Sequence, residues 1–324
     1  MITPAAPVSS HLFWKCDNLC RNSPLHNAVR ASFAAFLDRP ARLITSSELQ
    51  LRLDEIAGQH PVMARRLHDY GRAMMTWAQK RQLIEANPFG SVIVEGGNVS
   101  RDRVLTDEEL SAYWNASGEL PYPFGPFFRL LALTLQRRDE VADMEWSELD
   151  PDLTSWTIPA QRAKNGRAHI IHLSEPASQI LASLPRQSNP KTGAISPYVF
   201  TTNGRTPISG FSKAKARLME LMAAPEEPQA GKKTSPLPGT DWRPHDLRRT
   251  GVTVMARLGI GHHVADRVLN HVQGAIKGVA AVYQRHEFLT ERAAALDTWA
   301  RHVLEVAEGK ADRPGGGNVV PLRR

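Results

Sequence analysis

The hydrophobic positions along this chain change their period more than once. From His26 to Arg101 apolar residues recur at three- and four-residue spacing, the period of helices with one buried face. "LHNAVRASFAAFL" and "SSELQLRLDEIAG" each carry such a stripe, the second behind Ser46 and Ser47 as candidate N-caps. "PVMARRLHDYGRAMMTWAQKRQLI" predicts a longer amphipathic helix, with Arg65, Arg66, Arg72, Lys80 and Arg81 off its apolar face. Pro and Gly in "NPFGSVIVEGGNVSRDR" then break the pattern. The expectation is an irregular segment over residues 1–25, then a small, basic, helical domain over 26–101.

A second domain is expected over residues 102–310. Thr106 and Glu109 have the spacing of a capping box at the start of "LTDEELSAYW". "FGPFFRLLALTLQ" predicts a strongly apolar helix. The period then shortens to two. "SWTIPAQ" and "AHIIHLS" read as strands joined through "RAKNGR", where Asn165-Gly166 is a strong hairpin signal. Helical spacing returns in "ASQILASLP", "FSKAKARLMELMA", "DLRRTGVTVMARLG" and "HHVADRVLNH". "APEEPQAGKKTSPLPGT" reads as a loop, and residues 311–324 as a disordered tail. The fold class implied is mainly α with one small antiparallel sheet.

Composition narrows the partners. The chain has 324 residues, 42% hydrophobic and 23% charged, enough for two separate cores. A net charge of +7 and a pI near 9.6 favour a polyanion, most commonly nucleic acid. Cys16 and Cys20 are the only cysteines, which excludes a disulfide scaffold and suits a reducing cytoplasm. The first residues carry no secretory pattern, and no apolar run has the length of a membrane span.

The candidate chemistry is cationic. "PHDLRRTGVTVMARLGI" places His245 and Arg248 three apart, on one face of a helix that opens with Pro244. Free N–H groups and the dipole at such an end favour an anion. Arg249 points elsewhere. Taken singly, each group has an ordinary reading. His-x-x-Arg also occurs at solvated helix ends. Arg137 has a salt-bridge partner three residues on in Glu140. Lys164 lies in a turn, His271 closes a helix, and Tyr283 follows small apolar residues as a core tyrosine does.

Together and in this order, these residues resemble the catalytic domain of tyrosine recombinases, specifically prophage integrases. The resemblance covers about residues 105–308 and includes the context "NHVQGAIKGVAAVYQRHEF". It implies a site-specific recombinase that cuts and rejoins DNA with no metal or nucleotide cofactor. Arg137, Lys164, His245, Arg248, His271 and Tyr283 would be catalytic, and Glu140 would orient Arg137. Tyr283 would form a 3′-phosphotyrosyl link and Lys164 would protonate the leaving 5′-oxygen. "TWAQKRQLIEANPF" is similar to the family's core-site-binding domain, so Arg65, Arg66, Arg72, Lys80, Arg81 and Arg249 are candidate DNA contacts. The partners implied are double-stranded attachment or core sites, further copies of the chain in a DNA-bound homotetramer, and an accessory DNA-bending or directionality factor.

Two family glycines are replaced, by Leu135 and by Asn270. The segment before residue 26 is too short for the arm-binding domain usual in these integrases. The helix of "FLTERAAALDTWARHVLEVA" packs on its own domain or docks on a neighbouring subunit. Three other readings compete: a non-catalytic DNA-binding remnant of an integrase, a DNA-relaxing type IB topoisomerase, and a metallohydrolase built on His262, His263, Asp266 and His271. The spacing of the last set is poor for one-face ligation.

Overall fold

The computed structural model describes residues 29–36, 38–95, 102–223, 242–271 and 287–310. The expected irregular amino-terminal segment, the loop of residues 224–240 and the tail of residues 311–324 lie outside them, as does Tyr283. The chain divides into two compact units, residues 1–101 and 102–324. No helix among the described residues is long and apolar enough to cross a membrane.

In the first unit, α1 (Ser46–Gln59) and α2 (Pro61–Lys80) pack on each other. Leu49, Leu53, Leu67 and Met75 fill the core with Phe33 and Phe89. The cap of α1 is Thr45, one residue before the expected serines. Its hydroxyl accepts from the Glu48 N–H, and Glu48 accepts from the Thr45 N–H at 3.0 Å, a reciprocal pair that neither serine completes. The described part of the stretch before Ile44 includes a 3₁₀ turn over Ala34–Phe36. Helix α2 stops at Lys80, so "RQLI" lies beyond it. Arg65, Arg66, Arg72 and Lys80 are exposed. At about 100° per residue they fall within an arc of roughly 120°, opposite the buried stripe of Ala64, Leu67, Gly71 and Met75.

The second unit is built from α3 (Asp107–Gly118), α4 (Phe124–Thr134), the short α5 (Arg138–Ala142), strands β1 (Ser155–Ile158) and β2 (His169–His172), α6 (Glu175–Ser183), α7 (Phe211–Ala223), α8 (Pro244–Arg257), α9 (His262–Val268) and α10 (Leu289–Ala307). Thr106 and Glu109 form the expected capping box on α3. The two strands pair antiparallel, Trp156 opposite Ile171 and Ile158 opposite His169. They form the expected hairpin, joined by residues 159–168, a longer connection than "RAKNGR" alone, within which Asn165-Gly166 makes a local turn with Gly166 at φ +68°. Arg162 braces the start of this connection through a two-pronged salt bridge to Glu148, at 2.6 Å on each oxygen.

Helix α10 packs on its own unit. Its Trp299 is fully buried and donates to the Ala132 carbonyl in α4 at 2.8 Å. Near its start, Arg292 donates to the Ile170 carbonyl and to His169 Nδ1, tying α10 to β2. Arginine only donates, so His169 Nδ1 accepts, and its Nε2–H donates to the Val268 carbonyl at 3.2 Å. This fixes His169 as neutral. Burial first, and then the Arg292 charge, push its pKa down to about 3.

Helix α4 ends in a left-handed residue, Leu135, at φ 55°. The sterically costly residue is fully buried, and its side chain lies against Gly251 of α8. A methyl group on Gly251 would sit 2.3 Å from a Leu135 methyl. Gly251 thus makes room for a leucine where the resemblance implies a glycine.

Two outcomes follow. Gly251→Ala overpacks this contact and lowers stability by about 1–3 kcal/mol in denaturant unfolding; an unchanged midpoint removes the proposed fit. His169 is depressed in the folded state, so its contribution is fully present above 6.5. It is lost as pH falls toward 3, because the unfolded chain takes up the proton first. Stability of the wild type declines below pH 6.5 by up to about 1.4 kcal/mol per pH unit from this group. His169→Gln flattens that decline, and parallel pH curves for the two proteins contradict the assignment.

Candidate functional site

The side chains singled out in the second unit come from ends of elements. Arg137 caps α5. Its guanidinium donates to Glu140 Oε1 at 2.8 Å, and its backbone N–H donates to Oε2 at 3.0 Å. Glu140 is buried while Arg137 stays partly exposed, so the carboxylate aims the guanidinium outward. Glu140 is therefore the partner expected for Arg137 from their spacing.

Arg248 lies one turn into α8 and is almost wholly buried, with no carboxylate on it among its described hydrogen bonds. Instead Nη1 donates to the Leu135 carbonyl at 2.5 Å and Nη2 to the Leu269 carbonyl at 2.7 Å. Burial and the nearby Arg137 charge lower its pKa to about 10, so it remains a cation. Two like charges thus lie close to each other, and among the described residues Glu140 acts against them. The left-handed turn at Leu135 is what presents its carbonyl at the end of α4 to Arg248.

His245 and His271 join the same field. Partial burial lowers the pKa of each below the ordinary histidine value. The Arg248 charge adds to this in both, and each histidine lies within reach of further cations: Arg249 for His245, Arg137 for His271. Asp266 acts the other way on His271, at 3.4 Å from its Nδ1. Both imidazoles are therefore predominantly neutral at pH 7, suited to hydrogen bonding or proton transfer.

The end of α9, which carries His271, is held by side chains from several other elements. The Val268 carbonyl accepts from Gln136 Nε2 at 3.0 Å and from His169. The Leu269 carbonyl accepts from Arg248. Asn270, left-handed at φ 54°, accepts from Asn165 Nδ2 at 2.6 Å through its side-chain oxygen. Asn270 thus adopts the backbone geometry that the glycine it replaces would favour. Lys164, next to Asn165, is exposed on the turn.

Sequence reasoning missed Gln136, His169 and Arg292, which position the site from beneath. The signal was present for two of them. His169 alternates in phase with Ile171, and Arg292 shares a helical face with Leu296 and Trp299, so both are polar residues at core positions.

Other expected residues have partners of their own or lie in the first unit. Arg249 is held to buried Asp246 at 2.9 Å, which also accepts the Arg243 N–H. Arg65 pairs with Asp69 at 3.4 Å, and Arg81 lies over the Trp77 ring at 4.7 Å. Arg66, Arg72 and Lys80 are surface cations of the first unit. The proposed metal set does not converge. Asp266 faces His262 and His271, but the His263 ring packs against Phe288 at 5.1 Å. Among the described residues no cluster of three His, Cys, Asp or Glu has ligand geometry. Tyr283 lies outside the described residues.

Known proteins resemble this chain in sequence and in fold. Prophage integrase IntA of Escherichia coli (strain K12) is 26% identical over 183 residues. That alignment takes in 55% of this chain and 38% of IntA, so the chain spans well under half of that relative's length. A lambda integrase dimer bound to a COC' core site superposes with a TM-score of 0.57 at 16% identity, covering 83% of this chain and 96% of that one. The Tn1549 transposon integrase in complex with transposon right end DNA gives 0.57 at 15% identity, covering 87% and 99%. At these identities the structures establish the fold, a mainly helical one with a small antiparallel sheet, as expected from the sequence. Residues 103–288 match the phage integrase family, and because that match takes in more than half of the chain, the chain belongs to that family.

Proposed function

We propose that this protein is a site-specific DNA recombinase that cleaves and rejoins strands through a 3′-phosphotyrosyl intermediate. The observation that supports this reading is the closeness of two arginines: the Arg137 charge lowers the pKa of buried Arg248, and among the described residues Glu140 is the carboxylate that acts on Arg248 in return. A buried guanidinium is costly unless paired. Here backbone carbonyls orient Arg248 and Glu140 orients Arg137, which leaves a positive field open to a phosphodiester. Planar, permanently charged forks suit its non-bridging oxygens.

In the proposed reaction the Tyr283 oxygen attacks phosphorus. The Tyr283–phosphorus bond forms and the bond to the 5′-oxygen breaks. Charge that grows on the non-bridging oxygens is met by Arg137 and Arg248, already in place. The phenol proton passes to His245, neutral at pH 7 and so able to accept it. His271, whose Nδ1–H faces Asp266, takes up a second proton at Nε2 from solvent as the phosphoryl anion binds, and that N–H donates to a non-bridging oxygen. Lys164 gives a proton to the leaving 5′-oxygen. The phosphotyrosine conserves the ester's free energy, so attack by a 5′-hydroxyl of another strand rejoins DNA without a nucleotide cofactor.

The basic arc of α2, with Arg65, Arg66, Arg72 and Lys80, is the proposed duplex-tracking surface of the first unit, with Arg81 beyond its end. Arg249 serves as a phosphate contact near the site. The working assembly is a homotetramer on two duplexes, helped by a DNA-bending or directionality factor. One of the solved lambda integrase structures is a tetramer bound to a Holliday junction, with a TM-score of 0.56 at 17% identity.

The test is covalent trapping on labelled, nicked duplexes tiled across the DNA flanking the gene. Wild type gives a slow-migrating adduct on denaturing gels and Tyr283→Phe gives none while still binding DNA. An adduct with the phenylalanine variant refutes the nucleophile. Binding without any wild-type adduct returns the protein to the non-catalytic reading. Arg137→Ala lowers the cleavage rate by about 10²–10³-fold, with binding weakened far less; a loss confined to binding contradicts its role in the transition state. Affinity falls steeply with salt, each phosphate contact adding about 0.9 to the log–log slope, and a flat response excludes the basic arc as a DNA surface.

A further inference from the structure

Asn270 stands where glycine has the lower conformational cost. At φ 54° a glycine bears no steric penalty, and the Asn270 Nδ2 is buried with no hydrogen-bond partner among the described residues. Backbone geometry therefore does not account for an asparagine here. What the side chain adds is a single bond, from Asn165 Nδ2 to its Oδ1 at 2.6 Å. The same Nδ2 also reaches the Asn270 carbonyl at 3.5 Å.

The direction of that bond follows from the turn. Asn165 Oδ1 accepts the Arg167 N–H at 3.1 Å, closing a short side-chain turn around Gly166. With its oxygen engaged, Asn165 has only its amide N–H groups to offer outward, and Asn270 presents an oxygen to them. The two ends differ in how firmly they are held. Asn270 terminates α9, whose preceding carbonyls are gripped by Gln136, His169 and Arg248. The turn belongs to the long connection of residues 159–168, braced by Arg162 near its start. Asn165 is the side chain that reaches from its far part to the gripped end of α9.

Lys164 is bonded to Asn165, and His271 to Asn270. Consecutive Cα atoms lie about 3.8 Å apart, so one amide bond sets the spacing between the lysine's turn and the histidine's helix end. We propose that Asn165 and Asn270 form a latch that holds the Lys164 turn against the His271 end of α9, making both asparagines positioning residues for proton donation to the leaving oxygen. This rests on the reading of Lys164 as the proton donor. Neither asparagine touches the reacting atoms in this proposal. A proton donor on an untethered turn spends part of its time out of reach, and misplacement of this kind is costly in rate.

The experiment uses the full-length protein and the duplex located by trapping, made in two forms. One has the natural 5′-oxygen leaving group. The other has sulfur in its place, which departs as a thiolate and needs no proton donor. Single-turnover cleavage is measured for wild type, Asn270→Gly, Asn165→Ala, the double variant and Lys164→Ala. Asn270→Gly keeps the left-handed turn and removes only the amide, and thermal unfolding checks that each variant is folded. The latch requires that each asparagine variant lose roughly 10-fold on the oxygen duplex, stay within about 2-fold of wild type on the sulfur duplex, and that the double variant be no worse than either single one. Equal losses on both duplexes, or no loss on the oxygen duplex, overturn it. Lys164→Ala reports separately on the premise. If sulfur restores it while the asparagine variants show no such selectivity, Lys164 stands as the donor and the latch falls. If sulfur does not restore it, the donor assignment itself falls and takes the latch with it.

Discussion

The structure of the site depends on one buried charge. Arg248 sits inside the second unit with Arg137 close enough to repel it, and its described hydrogen bonds run to two backbone carbonyls. Those carbonyls belong to Leu135, at the end of α4, and Leu269, at the end of α9. The last carbonyls of a helix have no partner within it, so an arginine that takes one from each helix closes both ends at once. Its guanidinium thereby sets where the Arg137 turn and the His271 turn lie relative to each other. The cost of burying it is shared by both helix ends.

Leu135 shows how such a demand spreads. For its carbonyl to reach Arg248 the chain turns left-handed, a conformation that suits glycine better than leucine. The leucine side chain must then go somewhere, and it occupies the space over Gly251, three residues after Arg248 on the same helix. One turn of α8 therefore supplies both the donor for the Leu135 carbonyl and the gap for its side chain. Thr250 extends the attachment, its hydroxyl donating to the Asp246 carbonyl and accepting the Leu105 N–H that leads into α3.

A second layer of polar groups grips α9 from below. Gln136, His169 and Arg292 form a chain from the end of α4 through β2 to α10. All three are buried, and neutral His169 links the Val268 carbonyl to Arg292 without a second buried charge of its own. The helix that follows the Tyr283 segment is thus fastened to the strand that follows the Lys164 turn. Elements distant in sequence share one support, so the site's geometry is a property of the packed unit and not of any one segment.

How much of this was legible in the chain can be judged residue by residue. Helix periods, the Thr106 capping box, the two short strands and the pairing of Arg137 with Glu140 are local, set by spacings of a few residues, and they could be read directly. The cap at Thr45 was misplaced by one residue because three hydroxyl residues in a row offer equivalent caps, and only Glu48 selects among them. Asn165-Gly166 was read correctly as a turn between two antiparallel strands, but the connection is longer than "RAKNGR", since the signal gives the local bend and not where the strands stop. His169 and Arg292 were visible as polar residues on apolar faces, without a hint of what they bind. The sequence by itself therefore determined the order of chemical groups, the helices and strands that carry them, and the family to which they belong. Only the tertiary structure decided that the Leu135, Val268 and Leu269 carbonyls would be shared among Arg248, Gln136 and His169. Those are backbone acceptors, identical for every residue type, so side-chain spacing holds no record of which carbonyl a distant donor will reach.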